Sequence, residues 1–478
     1  MNILLIRPDD FNTDYLSKLR KGIARNGIHG GVLHPLGLCY VAAASENAGH
    51  KTKILDMRAQ DISEIEFERI IRKFSPDLVG IYMTTFEIKK AVLIAKKIKD
   101  ADKSMPVVVG GPGVGIYPKE TLTHECFDYG IIGEADFSFP IFLDYLNNKS
   151  NDKIPGLVYK KNGAPIISAS IQVVKNLDSL PLPARHLLKG NYNYVFVSHE
   201  PFTSMMTSRG CPFNCSFCGK PPGRDVLRLR SVGNIVDEFK YVIEDGYKEV
   251  ILFDDTFTVN KKHVEGVCDG IIHEGLDIIW SARVRIDTIN RNMLKKMKRA
   301  GCKRLYFGVE SGTDPILKLM NKLTTVSQIE ESIKLAKDIG FETISYFILG
   351  FPGETIETMS KTIEFAKKID TNFCSFNTFV PMPASQVMND MIGLGFKDEW
   401  IDYILLKKNN IPSYYGDLKK DVVVSFYRKA FVELYINLHS TLGVLRMIHN
   451  KTRLKNFARG IVYSSLERLF FTEGTIGT

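Results

Sequence analysis

Short apolar runs alternate with amphipathic stretches along most of the chain. In residues 1–148, runs at 3–6, 52–55, 78–82, 107–109 and 129–132 read as strands. Segments 36–48, 62–74 and 88–101 repeat their apolar positions at helical spacing. This alternation predicts an α/β unit, a doubly wound parallel sheet with helices on both faces. Such a sheet takes its ligands beyond the carboxyl ends of its strands. A second alternation fills 201–385, with strands at 204–207, 249–253, 278–282, 304–309, 343–349 and 375–380. Between the two, 149–200 reads as a connector. It holds the hairpin cue Asn162-Gly163 between runs at 156–159 and 166–171, then Leu180-Pro181-Leu182-Pro183, which forces extended chain. Residues 386–478 are mainly helical in pattern, 422–438 most clearly, and suit a cap over the second unit; 472–478 read as a frayed end.

The chain's 478 residues suffice for two or three domains, and its composition is that of an ordinary globular protein. No uncharged apolar run reaches the roughly 18 residues a membrane span needs. The opening Met1-Asn2-Ile3-Leu4-Leu5-Ile6-Arg7-Pro8 lacks the basic start and cleavage site of a signal peptide, so a reducing cytoplasm is expected. The net charge of +9 owes much to Lys419, Lys420, Arg428, Lys429, Arg446, Lys451, Arg453, Lys455 and Arg459. A solvated basic face is the simpler reading. Peripheral contact with an anionic membrane is the lesser expectation, and nucleic acid is not expected.

Chemistry enters with the cysteines. Cys39, Cys126, Cys268, Cys302 and Cys374 are scattered singly, whereas Cys211, Cys215 and Cys218 share the run Ser208-Arg209-Gly210-Cys211-Pro212-Phe213-Asn214-Cys215-Ser216-Phe217-Cys218-Gly219. Structural zinc is closed by four ligands, and His199 stands at no zinc spacing. A disulfide framework does not suit a long chain without a secretion signal. Three thiolates in one loop can hold three irons of a cubane and leave the fourth open. The CxxxCxxC spacing, the Arg-Gly before it and the aromatic before the third cysteine resemble the radical S-adenosylmethionine (SAM) superfamily. That resemblance implies a [4Fe–4S] cluster on Cys211, Cys215 and Cys218, with SAM chelated at the open iron and cleaved to a 5′-deoxyadenosyl radical. For 201–385 it implies a partial (β/α)6 barrel with its chemistry at the C-terminal strand ends. Phe217 matches the family's aromatic near the adenine, with loop packing as the other reading.

The strand ends extend the resemblance. Asp254 and Asp255 are similar to the family's Asp-Asp pair and suit the SAM ammonium; a helix cap at Asp255 or Thr256 is the alternative. Arg285 matches a position for the SAM carboxylate, and Arg283 points the same way by strand periodicity, so both stay candidates. Glu310-Ser311-Gly312 and the turn Gly350-Phe351-Pro352-Gly353-Glu354 closely resemble SAM-contacting segments. In the first unit, Met83-Thr84-Thr85, Gly110-Gly111-Pro112-Gly113-Val114-Gly115 and Gly133-Glu134 sit at strand ends, with no GxGxxG after the first strand to favour a dinucleotide. With His34-Pro35-Leu36-Gly37-Leu38 these resemble the cobalamin-binding domain that precedes many radical SAM domains. The resemblance implies cobalamin contacts at Leu36, Gly37, Thr84, Thr85, Gly110, Gly111, Pro112, Gly133 and Glu134. The DxHxxG of cobalamin mutases is absent, and Gly113 stands where relatives often carry histidine.

A cobalamin domain ahead of a radical SAM domain implies methylation of an unactivated carbon in a small molecule, peptide or lipid, with a flavodoxin- or ferredoxin-type electron donor. Relatives of the same build also run cyclisations, rearrangements and oxidations, which stay open. An iron–sulfur sensor would not need the intact Glu310-Ser311-Gly312. A tRNA methylthiotransferase would carry a further N-terminal cysteine trio, where only Cys39 and Cys126 stand. Tyr346, Asn377 and Thr378 are candidates for the barrel interior, with packing as the alternative.

Overall fold

Ile3, Leu4, Leu5 and Ile6 are all buried, as residues of a strand covered on both faces must be. They lie in β1 (Asn2–Arg7) of a seven-stranded sheet in the computed structural model, which describes residues 1–11, 31–148 and 153–435. β1 runs parallel between β2 (Lys51–Asp56) and β3 (Leu78–Tyr82); β4 (Val107–Gly110) and β5 (Tyr129–Ile131) follow, also parallel. On one face, helices Leu36–Asn47 and Ala135–Leu146 pack Leu38, Ala42, Phe139 and Phe142 against Ile3, Leu5 and Val108. On the other, helices Glu64–Phe74 and Ile88–Ala101 pack Phe67, Ala91 and Ile94 against Leu4, Ile6 and Val79.

The Asn162-Gly163 hairpin forms as its residues dictate, both central positions having positive φ (51° and 79°). Its strands β6 (Leu157–Lys161) and β7 (Ala164–Ile167) do more than strap two units together. β6 pairs antiparallel with β5, so the hairpin completes the first sheet. The rest of the connector is pinned by Arg185, whose buried guanidinium donates to Thr203 Oγ1 (3.0 Å), the Ser204 carbonyl (2.8 Å) and Glu238.

Six parallel strands in sequential order make the second unit: β8 (Phe202–Met205), β9 (Glu249–Leu252), β10 (Ile279–Val284), β11 (Cys302–Glu310), β12 (Glu342–Leu349) and β13 (Phe373–Thr378). Val250, Leu252, Trp280, Ala282, Leu305 and Phe307 share one core with the covering helices. The alternate positions face the opposite side. There, at the N-terminal ends, buried Arg304 pairs with Glu249 (3.0 Å) and Glu342 (2.9 Å) and donates to Ser198 Oγ (3.1 Å), closing the floor.

After β13 the chain serves both units, and is not only a cap. Helix Glu399–Ile404 returns to the first sheet's core, where Trp400 lies edge-on to Phe86 at 5.5 Å and Tyr403 Oη donates to the Phe86 carbonyl (3.0 Å). Helix Lys420–Tyr435 adds Val423 and Ala430 to the second core. The basic residues from Arg446 onward, the end of the predicted helix at 436–438 and the tail 472–478 lie outside the described residues. No described helix is long and apolar enough to cross a membrane.

Candidate active site

The cysteine loop leaves β8 through Ser208–Arg209, which pairs antiparallel with Arg228–Leu229. Gly210 has φ 89°, and a Cβ there would strike the Val226 carbonyl, so only glycine fits. The loop closes on itself: Cys211 N donates to the Arg224 carbonyl (3.0 Å), Cys218 N to the Cys215 carbonyl (3.1 Å), and Lys220 Nζ to the carbonyls of Cys211 (2.8 Å) and Phe213. Ser216 anchors it through the Met320 and Leu319 carbonyls (both 2.9 Å). The three thiols are unbridged. Cys218 is the most open, yet its thiol is pushed up to about 11, by loss of solvation first and then by the neighbouring Cys215, against the pull of Lys220. Among the described residues no three His, Cys, Asp or Glu side chains are arranged to hold one ion.

Four strand ends surround this loop. Arg285, just past β10, lies 3.9 Å from the Phe213 ring, donates to Cys215 Sγ (3.5 Å) and to the Lys322 carbonyl, and pairs with Asp287 (2.7 Å). Arg283 instead lies 4.1 Å over the Phe253 ring. β11 ends in a bulge between Gly308 and Glu310, where Glu310 takes φ 69° and pairs with Lys322 Nζ at 2.7 Å. A Cβ on Gly308 would lie 2.9 Å from that ammonium, which in turn stands 5.9 Å from the Phe217 ring. Cys215, Arg285, Lys322, Glu310 and Phe217 thus form one chain of contacts. Ser311 is buried with its hydroxyl 3.3 Å from those of Thr313 and Thr362. Gly350, with φ 80°, donates its N–H to Glu354 (2.6 Å), as does Phe351 (3.1 Å). Burial pushes the Glu354 carboxyl up to about 7 against the pull of these two bonds.

Asp254 is not the open acceptor expected. It is buried and accepts from Thr207 N (2.7 Å), Thr207 Oγ1 and Ser208 N (3.2 Å), bracing the entry to the cysteine loop; burial still pushes its carboxyl up to about 6. Asp255 is exposed and takes Arg224 Nη2 on both oxygens (2.8 and 2.9 Å). Thr256 stands at the N-cap of the short 3-10 turn Phe257–Val259 without a side-chain hydrogen bond to it, and the helix Lys261–His273 is capped by Asn260.

At the first sheet's carboxyl edge, Thr84 and Glu87 close a capping box. A Cβ on Gly111 (φ 109°) would lie 2.7 Å from the Met83 carbonyl, and one on Gly113 2.8 Å from the Thr84–Thr85 backbone. The loops after β3 and β4 therefore pack backbone on backbone, and position 113 admits no side chain, histidine included. Pro112 opens the short helix Pro112–Ile116. Gly115 would bring a Cβ within 3.6 Å of Pro222, four residues beyond Cys218. Gly110 ends β4 and Gly133, with φ 87°, precedes Glu134. Leu36 and Gly37 start helix Leu36–Asn47, Leu36 buried and Gly37 exposed. Glu134 is engaged by protein: it accepts from Arg228 (2.7 and 2.9 Å) and Val174 N (2.6 Å) and pairs with Arg209 (3.3 Å), whose second partner is Asp136. Burial opposes its charge, but the two arginines and the Val174 N–H hold its carboxyl below the usual range.

Residues 205–366 match the radical SAM superfamily, and residues 27–143 match the B12 binding domain. An uncharacterized methyltransferase of Pyrococcus horikoshii is 36% identical over 405 residues, which span 82% of this chain and 87% of that one. The chain belongs to the cobalamin-binding radical SAM enzymes. An anaerobic magnesium-protoporphyrin IX monomethyl ester cyclase of Rubrivivax gelatinosus is 25% identical over 467 residues, 93% of this chain and 81% of that one. The solved radical SAM methyltransferase TsrM from Kitasatospora setae shares the fold, with a TM-score of 0.63 at 16% identity over 82% of this chain and 75% of that one. This radical SAM enzyme works with a [4Fe–4S] cluster, SAM and cobalamin.

The contacts around the cysteine loop also include residues that sequence reasoning passed over. Lys322 stands between Asn321 and Leu323, both left-handed (φ 49° and 58°), and nothing in the sequence marks it. The arginine partners of Glu134 and Asp136 lie more than 70 residues downstream, although Arg209 stands beside the cysteine motif. Tyr346 stacks on Tyr306 (6.4 Å between ring centres), whereas Asn377 is exposed and Thr378 is bonded to Tyr415.

Proposed function

We propose that this enzyme methylates an unactivated carbon of an organic substrate, a small molecule, peptide or lipid. The observation that supports this most is the apposition of two strand-end edges. Glu134 of the first sheet is bound to Arg209 and Arg228, which flank the cysteine loop, and Gly115 abuts Pro222 beside that loop. When bound, the three cofactors supply a methyl group and a radical able to take hydrogen from an unreactive carbon.

In this reading Cys211, Cys215 and Cys218 ligate the cluster, and Arg285 offsets the Cys215 thiolate's charge through their 3.5 Å contact. Asp255, Glu310, Ser311, Gly350 and Phe217 line the ground for SAM. Leu36, Gly37, Thr84, Thr85, Gly110, Gly111, Pro112 and Gly133 do so for cobalamin. Glu134 and Asp254 serve as braces. The electron donor is a low-potential protein of flavodoxin or ferredoxin type, and the compartment is cytoplasmic. The cyclase relative supports a second reading, a radical ring closure without methyl transfer.

Anaerobically purified, reconstituted enzyme should hold about four irons and one cobalamin per chain, and Cys215→Ala should lose the iron while keeping the corrinoid. With methyl-deuterated SAM, a product carrying the labelled methyl supports methylation, and an unlabelled cyclised product supports the second reading. Loss of both groups together in Cys215→Ala would contradict the assignment of separate holding sites.

A further inference from the structure

The arginines of the cysteine loop and of the barrel strands are spoken for by carboxylates, with one exception. Arg224 pairs with Asp255, Arg285 with Asp287, and Arg304 with both Glu249 and Glu342. Arg283 is half-buried, and among the described residues it meets no carboxylate and makes no hydrogen bond; it lies 4.1 Å over the Phe253 ring, with the Tyr194 and Tyr346 phenols in electrostatic reach. A guanidinium carries five donors in a planar fork, and a ring face satisfies none of them.

The strand register fixes where that fork lies. Arg283 pairs in register with Tyr306, and Ser281 with Arg304. Side chains alternate along a strand, so 281, 283 and 285 share one side, as do 304, 306, 308 and 310. Arg283 and Tyr306 therefore form a layer between the Arg304 floor and the Arg285–Glu310 layer at the cluster loop. Two further polar groups on this side are unanswered. The Tyr306 hydroxyl in the same layer and the Ser281 hydroxyl one layer below, level with Arg304, are buried and find no partner among the described residues. Tyr346 stacks on Tyr306, adding an aromatic wall. Buried polar groups without partners are uncommon, and Tyr306 keeps an unanswered hydroxyl although Tyr194 and Phe196 pack in one cluster with its ring.

We propose that Arg283 is the substrate's anion anchor. It takes a carboxylate or phosphate-type oxyanion of the substrate in its guanidinium fork, with the Tyr306 and Ser281 hydroxyls as flanking partners and Phe253 and Tyr346 as walls for a flat apolar portion. The inference rests on the reading of this barrel as the site where the radical meets its substrate, and it narrows the substrate to an acid. Held there, the anion lies one layer below Arg285, so the rest of the substrate extends toward the cluster.

The test titrates reconstituted holoenzyme under anaerobic conditions with phenylphosphonate and, separately, with SAM. The neutral isostere benzyl alcohol is the control. Wild type is expected to bind phenylphosphonate saturably and at least tenfold more tightly than benzyl alcohol. Arg283→Gln is expected to lower phenylphosphonate affinity tenfold or more relative to SAM affinity, and Arg283→Lys, which keeps the charge and guards against misfolding, to recover part of it. Absence of saturable phenylphosphonate binding in wild type overturns the proposal. So does a fall in SAM affinity with phenylphosphonate affinity unchanged, which would make Arg283 a ligand of the SAM carboxylate. Iron and cobalamin content, measured on the same samples, reports separately whether the parent reading stands.

Discussion

Lys322 gathers the strand-end contacts into one set, and its removal should be felt twice. Lys322→Met strips the partner from Glu310, a carboxylate held in a strained backbone position beside the barrel interior. An uncompensated buried charge costs about 3–5 kcal/mol, so urea unfolding of the variant should show a loss of that order. The double change Lys322→Met with Glu310→Gln should regain much of it. Glu354 gives a pH signature. Its carboxyl titrates near 4.5 when free and at about 7 in the fold, so the folded state holds the proton more tightly. That contribution is complete below about pH 4.5 and is lost as pH rises through about 7, by up to about 3 kcal/mol. The stability of wild type relative to Glu354→Gln should therefore fall between pH 5 and pH 8; a constant difference over that range would contradict the assignment.

Between elements, the end of β5 and the base of the cysteine loop are joined by charge. If Glu134 and Arg228 act as one brace, a double-mutant cycle on Glu134→Gln and Arg228→Gln should return a coupling of about 1–3 kcal/mol; additive effects would sink that role. This is also the scale at which the sequence stops being readable. Strands buried on both faces announce themselves as apolar runs, and their glycine-bearing ends follow from the backbone approach required there, as at Gly111. The cysteine trio was legible because its chemistry is local. The employment of Glu134 and Asp254 was not, because each answers to partners far along the chain, nor was that of Lys322, whose pairing with Glu310 depends on the bulge and the left-handed turn between them. The hairpin shows the same divide: Asn162-Gly163 dictates the turn, but nothing near it names β5 as the strand it joins.

Across the whole molecule, the stretch after the barrel was legible as helical but not as shared. Amphipathic spacing shows that a helix has an apolar face without saying which core receives it. Trp400 fills the first sheet's core from more than 250 residues beyond β5. Trp400→Ala should cost about 3–5 kcal/mol and should loosen hydrogen-exchange protection around Phe86 and the helix Ile88–Ala101, not only around its own helix.

The route of the chain through both cores also bears on biosynthesis. A ribosome that has released residues 1–148 has delivered a sheet whose core still lacks Met388, Trp400, Tyr403 and Ile404. By the time those residues emerge, the cysteine loop and all six barrel strands have already been made. The nascent first unit must wait, partly open, through synthesis of its neighbour. Completion of the first core is then a late event in assembly, following synthesis of the half that carries the cysteine loop.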